Sequence, residues 1–139
     1  MWIEPKTNWV STDAITSDDY NRIAGNLYFL KDYIERLFGD VGLIAMQTDK
    51  DYASRIYARE MNAVESNLDA LNNASYDLDI GTAETYVSNG NTPLYVELNR
   101  IESATKKMYL WLSINSQMRP HLAFGLGKGK WTGIKRTTL

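Results

Sequence analysis

Tyr20, Ile23, Leu27, Leu30, Ile34 and Leu37 recur at alternating spacings of three and four residues. That alternation puts all six on one stripe of an α-helix, the pattern of a heptad seam. A chain carrying such a seam must bury it, against its own helices or against copies of itself. Thr16-Ser17-Asp18-Asp19 precedes the seam and supplies a capping hydroxyl and negative charge for a helix N-terminus. Gly39 stops it. The pattern predicts a helix over residues 17–38. Gly25 inside it costs about 1 kcal/mol relative to alanine, which points to close backbone packing there.

Two more helices follow from the same logic. Asp49 is a cap candidate for a helix over 50–73, whose stripe is Tyr57, Met61, Val64, Leu68 and Leu71. Residues 74–91 mix turn signals and polar residues and read as a long connection. Thr92-Pro93 pairs a capping hydroxyl with proline at a first helical position. It predicts a helix over 93–117 with Leu94, Leu98, Ile101, Met108 and Leu112 on its seam and Thr105 interrupting it. Past Arg119-Pro120, Leu122, Phe124 and Leu126 alternate with Ala123 and Gly125, a period of two that reads as a strand. Lys128-Gly129 would turn it and residues 130–137 would return.

The expected fold is mainly α. Residues 1–16 form an extended N-terminal arm, 17–118 a helical domain, and 119–139 a basic C-terminal hairpin or arm. Two helical architectures satisfy the seams. One is an intramolecular three-helix bundle. The other is a coiled-coil-like homo-oligomer in which the first helix pairs with copies around an axis, a trimer being preferred for a fibre-like part. Core and coiled-coil seams use the same residues, so Tyr20, Ile23, Leu27, Leu30, Ile34 and Leu37 serve either.

Composition narrows the function classes. The 139 residues fit one domain. There is no cysteine and one histidine, His121, which excludes disulfides, thiolate metal sites and any site needing two imidazoles. The longest aliphatic run, Leu43-Ile44-Ala45-Met46, is far too short to cross a membrane. The opening Met1-Trp2-Ile3-Glu4-Pro5 lacks the pattern of a signal peptide, so a non-secreted protein is expected.

No chemistry-bearing motif survives inspection. In Gly125-Leu126-Gly127-Lys128-Gly129-Lys130 the Gly-Lys is followed by Trp131, so it is no phosphate loop. Asp77-x-Asp79-x-Gly81 faintly resembles a calcium loop, but Ser88 stands where the closing Glu belongs. No catalytic residue, cofactor or metal is expected, and the reading is non-enzymatic.

Charge and aromatics point to interactions instead. From Arg119 onward there are five basic residues and no acid, leaving ten Lys/Arg against seventeen acids in the first 118 residues, a balance of −7. A basic end on an acidic body is expected to dock on something negative, through Lys128, Lys130, Trp131, Lys135 and Arg136. The alternative is a nucleic-acid-binding protein in which Trp131 stacks on bases. The acidic body repels phosphate and disfavours nucleic acid as a partner. Trp2, Pro5 and Trp9 lie on the arm with no evident core of their own. They are read as anchors for a partner's pocket, with folding back onto the parent helices as the alternative. Tyr109 and Trp111 lie off the third seam.

Asp19-Tyr20-Asn21-Arg22-Ile23 is echoed by Glu97-Leu98-Asn99-Arg100-Ile101. Asn21, Arg22, Asn99 and Arg100 project away from the apolar face, and each acid is placed to pair with the Arg one turn on. Two copies do not make a repeat array. The order Trp2-Ile3-Glu4-Pro5-Lys6-Thr7-Asn8-Trp9, Asp13, Asp19-Tyr20-Asn21-Arg22-Ile23-x-x-Asn26-Leu27-x-x-Leu30 resembles a segment of tail- and baseplate-associated structural proteins. These are encoded by phages and prophages of Gram-positive bacteria. The likeness covers residues 1–37. In those proteins Asn-Arg-Ile is usually followed by Glu; Ala24 departs from this, whereas Glu102 keeps it in the second copy. The resemblance implies a virion component assembled in the host cytoplasm, with other virion proteins as partners.

Overall fold

Three α-helices carry the three seams: α1 (Ser17–Phe38), α2 (Ala58–Asn73) and α3 (Tyr95–Gly125). The computed structural model describes residues 1–52, 55–88 and 95–125, with 115–125 described as helical backbone alone. Among the described residues there is no strand.

The bounds of α1 are those the sequence predicts. The Thr16 hydroxyl accepts from the Asp19 N–H at 3.2 Å, while the Asp19 carboxylate accepts from the Thr16 N–H at 2.9 Å. Gly39 ends the helix at φ 114°, a conformation that favours glycine. Gly25 is not there for close packing, because a Cβ added to it would meet open space.

The other helices depart from expectation. α2 begins at Ala58, not at 50, because the Asn21 side chain takes both the N–H and the C=O of Lys50 and holds it extended. Its start is fixed by Glu60, whose carboxylate accepts from the Tyr57 N–H at 2.8 Å. α3 runs through Pro120, Leu122 and Phe124 to Gly125, so the expected strand is helical that far. An alternation this short fits either period until neighbours decide. The Thr92-Pro93 helix start and the rest of the expected hairpin lie outside the described residues, together with Lys128, Lys130, Trp131, Lys135 and Arg136.

The three seams meet in one core, except that Tyr57, expected on the α2 stripe, caps that helix and is exposed, and Leu94 lies outside the described residues. Tyr20, Ile23, Leu27, Leu30 and Ile34 are no more than 1% exposed, with Leu37 half-buried at the edge. Met61, Val64, Leu68 and Leu71 of α2 and Leu98, Ile101, Met108 and Leu112 of α3 complete it. Thr105 is tolerated because its hydroxyl donates to the Glu102 carbonyl at 2.8 Å. The bundle is therefore intramolecular. The α1 seam is filled by the chain's own helices and is not open to copies, which removes a trimer built through it.

The helices run parallel. Near their N-terminal ends Arg22 of α1 pairs with Glu102 of α3, and Arg100 of α3 pairs with Glu65 of α2. At the other end the rings of Phe38, Tyr76 and Trp111 meet, with centroids 5.3 and 5.7 Å apart. Consecutive parallel helices need a return path. A 22-residue helix is ~33 Å long, so the return takes at least about ten extended residues. Residues 39–57 and 74–94 supply it.

The described residues of these returns, and residues 1–16, lie along grooves between helices and act as straps. Strap 1 (1–16) joins α1 and α3: Ile3 is held by Asn26, Trp9 by Asn99. Strap 2 (39–57) joins α2 and α1: Ile44 is held by Asn67, Lys50 by Asn21. Strap 3 (74–94, described to 88) joins α2 and α3: Asn72 and Asn62 hold Leu78 and Tyr86, and Lys107 donates to the Asp79 carbonyl. Gly81, at φ 84°, lets strap 3 cross Arg100, whose Cδ lies 2.8 Å from where a Cβ would stand.

The expected free arm is thus the first strap. Pro5 is buried, Trp9 is 2% exposed, and Trp2 stacks on Tyr109 with centroids 4.1 Å apart. The anchoring role assigned to these residues is corrected accordingly: they close the α3–α1 groove of their own chain. Trp9→Ala should lower stability by about 3–5 kcal/mol, the range for a buried aromatic truncated in a core. Urea unfolding of the isolated variant measures this, and an unchanged midpoint would contradict it.

Candidate functional site

The motif of an acid followed two residues on by Asn occurs three times at equivalent places on the helices, twice with Arg after the Asn. Glu60-Met61-Asn62-Ala63-Val64-Glu65 on α2 occupies the place of Asp19 to Ala24 on α1 and Glu97 to Glu102 on α3, at a repeat of roughly 40 residues. Ala63 in place of Arg hides the α2 copy in the sequence. The expectation of no repeat array is corrected: the chain is three strap-plus-helix units around a pseudo-threefold axis.

The asparagines do the same thing in each unit. Asn21, Asn62 and Asn99 each donate from the amide nitrogen to a strap C=O and accept that residue's N–H. The strap residues are Lys50, Tyr86 and Trp9, at 2.8–3.0 Å. Five residues on, Asn26 and Asn67 grip Ile3 and Ile44 in the same two-bond way. Asn72 grips Leu78 likewise. An extended strap has no ladder partner, so each Asn amide stands in for one by presenting a donor and an acceptor side by side.

Arg22 and Arg100 bridge neighbouring helices. Glu102, 1% exposed, accepts from Arg22 Nε at 2.9 Å and Nη2 at 2.5 Å, from the Trp9 indole at 2.9 Å and from the Lys6 N–H at 3.1 Å. Glu65, 3% exposed, accepts from Arg100 Nη2 and from the Tyr86 hydroxyl at 2.9 Å. Its Oε1 has no partner among the described residues. The third equivalent place, between α1 and α2, holds Ala24 and Ala63 in place of Glu and Arg. There Lys50 replaces the strap aromatic, pairs with Glu60 at 2.9 Å and lies over the Tyr20 ring. Both charges are missing together, so neither is left buried alone.

The field around the motif is shaped by these pairs. Burial opposes ionisation of Asp19, but the Thr16 N–H and hydroxyl and the Arg22 guanidinium outweigh it and hold its carboxyl low. Burial pushes the Tyr20 phenol up to about 12, helped by Glu60. Burial and Glu65 also push the Tyr86 phenol up.

The motif residues Asn21, Arg22, Asn99 and Arg100 therefore fasten the fold, and the sequence alone assigns no role to Asn26, Asn62, Asn67, Glu65 and Glu102, which fasten it with them. Repeated Asn inside helices was the available signal, because Asn is a poor helix former that needs a reason to be there. Asp77 and Asp79 lie on strap 3. No cluster of metal-ligating side chains occurs among the described residues. No described helix is long and apolar enough to cross a membrane. A shallow hollow on α1 is lined by Phe29, Asp32, Glu35 and Arg36, but Glu35 is already engaged by Lys31 and the Val41 N–H.

Glu102→Ala should destabilise by about 3–5 kcal/mol, since it leaves the buried Trp9 indole without an acceptor and Arg22 with Asp19 as its remaining partner. Asn26→Ala should cost about 1–3 kcal/mol for the two strap groups it orphans. Lys31→Ala, which loses a surface pair, should stay within about 0.5 kcal/mol. Denaturant midpoints with a common slope test this ranking. A Lys31→Ala effect equal to that of Glu102→Ala would refute it.

The pH dependence has two limbs. Asp19 ionises more readily folded than unfolded, so its contribution is present above the ordinary carboxylate pKa of about 4 and fades as pH falls below it. Tyr20 ionises less readily folded, so stability declines as pH rises from about 10, where the unfolded phenol ionises, towards 12. Melting temperature against pH should fall on both sides. Asp19→Asn should make the acid limb shallower, and Tyr20→Phe the alkaline one, the remainder of which Tyr86 carries.

No family model, curated protein or solved structure matches the chain.

Proposed function

We propose that the protein is a non-enzymatic structural component of a phage virion, a small tail-, baseplate- or fibre-type adaptor present in several copies. It is assembled in the host cytoplasm and docks on neighbouring virion proteins. The observation that carries this reading is where the resemblance falls. Residues 1–37, the stretch resembling phage tail- and baseplate-associated proteins, coincide with one whole structural unit, strap 1 plus α1. A shared unit of folding is what a modular structural part would retain. The use of the motif side chains supports the same reading, since Asn21, Arg22, Asn99 and Arg100 bind the chain's own straps and helices. Copies associate through surfaces other than the α1 seam, and the five basic residues from Arg119 onward, with no acid among them, suit an acidic neighbour.

Purified particles from an induced lysogen carrying this sequence provide the test. Peptides of the chain should appear in the banded virion fraction at a fixed ratio to the major tail proteins. Recovery solely from the particle-free supernatant would rule the proposal out.

A further inference from the structure

Among the described residues, the exposed large apolar side chains gather at the two ends of the bundle. Val10, Tyr52, Tyr57, Val87, Tyr95 and Val96 are exposed at the end where the three helices begin. Val10, Tyr52 and Val87 arrive there because the straps reach that end just after their gripped residues Trp9, Lys50 and Tyr86. Phe38, Leu110, Trp111 and Ile114 are about half exposed at the other end, and the flanks between show only Met1, Ile3 and Ile44. Apolar patches collected in this way mark interaction surfaces. We propose that the end where the helices begin is a docking surface for the opposite end of a second copy, so that copies associate head to tail. The inference takes its multi-copy setting from the function proposed above.

Charge selects this partner. Asp18, Asp49, Asp51 and Glu84 are exposed around the receiving end, against Arg55 and Arg59. The clamp pairs beneath it hold five acids against three bases. Together these leave an excess of four acids, more than three helix N-termini of about half a positive charge each can offset. A basic partner is therefore favoured.

The chain supplies that partner at its other end. α3 continues for 26 residues beyond Asn99, whereas α1 continues for 17 beyond Asn21 and α2 for 11 beyond Asn62. The α3 backbone therefore projects past the end of α1 by about nine residues, roughly 14 Å of helix. This projection carries Arg119, the first of five basic residues with no acid among them, and Leu110 and Ile114 stand at its base. Setting it against the receiving end of a second copy brings opposite charges together and covers apolar surface on both. Joining two like ends would oppose acid to acid or base to base. The contact is therefore heterologous, and because its two halves lie at opposite ends of the bundle, successive copies extend as a column.

Sedimentation of the full-length chain between micromolar and millimolar concentration tests this. Dimers and larger species should form, and association should weaken at least about tenfold when salt is raised to about 1 M. Val96→Lys alters the receiving end and Ile114→Glu the docking end, both at exposed positions. Each variant alone should associate at least about tenfold more weakly than the unaltered chain. An equal mixture of the two should recover association, because one intact end remains on each. Thermal melting checks that both stay folded, and Tyr52→Lys with Leu110→Glu replaces the pair if either does not. Monomers at every concentration would overturn the proposal. So would association untouched by either variant, or loss that mixing fails to recover, since another surface or a contact between like ends would then be responsible. The measurement needs no virion, so its failure and the absence of the chain from purified particles are separate results.

Discussion

The two-bond grip of an asparagine amide on an extended backbone holds this structure together. Each strap crosses a helical surface with no strand beside it, and its buried N–H and C=O groups would otherwise lack partners. One Asn side chain satisfies both groups of one residue, and the same device recurs on all three helices at Asn21, Asn62 and Asn99. The grips also fix register, since a strap shifted by one residue would present the opposite side chain to the core. Trp9 and Tyr86 enter their grooves because Asn99 and Asn62 hold the backbone at those residues.

Parallel packing follows from the straps and in turn demands them. Antiparallel neighbours can be joined by short loops, but parallel ones need a return along the full helix. Here the returns fill the grooves and complete the core. Three parallel helices also add their dipoles, gathering positive ends together. Asp18 and Asp19 of α1, Glu60 of α2 and Glu97 of α3 stand in the first turns, where negative charge is favourable. The same acids pair with Arg22, Lys50 and Arg100, so one residue serves both helix start and strap or helix clamp.

The pseudo-threefold arrangement is imperfect in an instructive way. Glu102 uses both of its oxygens, Glu65 leaves one without a partner, and the third position has no charge at all. A buried pair is tolerated when complete and strongly destabilising when halved. Joint replacement by Ala24 and Ala63 is the arrangement that avoids a halved pair, and Lys50 takes its counter-charge from Glu60 instead. That replacement made the α2 copy of the motif hard to see.

By itself the sequence determined the three apolar seams, the bounds of α1 and the mainly helical class. These depend on local periodicity and on caps within a few residues, as with Thr16 and Asp19. It did not determine where α2 begins, because the cap signal at Asp49 is local while the Asn21 side chain that keeps Lys50 extended is 29 residues away. Nor did it decide helix direction or the place of Trp2, Pro5 and Trp9. A seam has the same spacing in parallel and antiparallel bundles, and an aromatic on an extended segment looks alike whether it meets its own chain or another. Tertiary structure decided both through contacts between residues 80 to 96 apart: Arg22 with Glu102, Trp9 with Asn99 and Glu102, and Lys6 with Glu102. Such pairings require helices and straps already assembled in space, and local periodicity along the chain does not encode them.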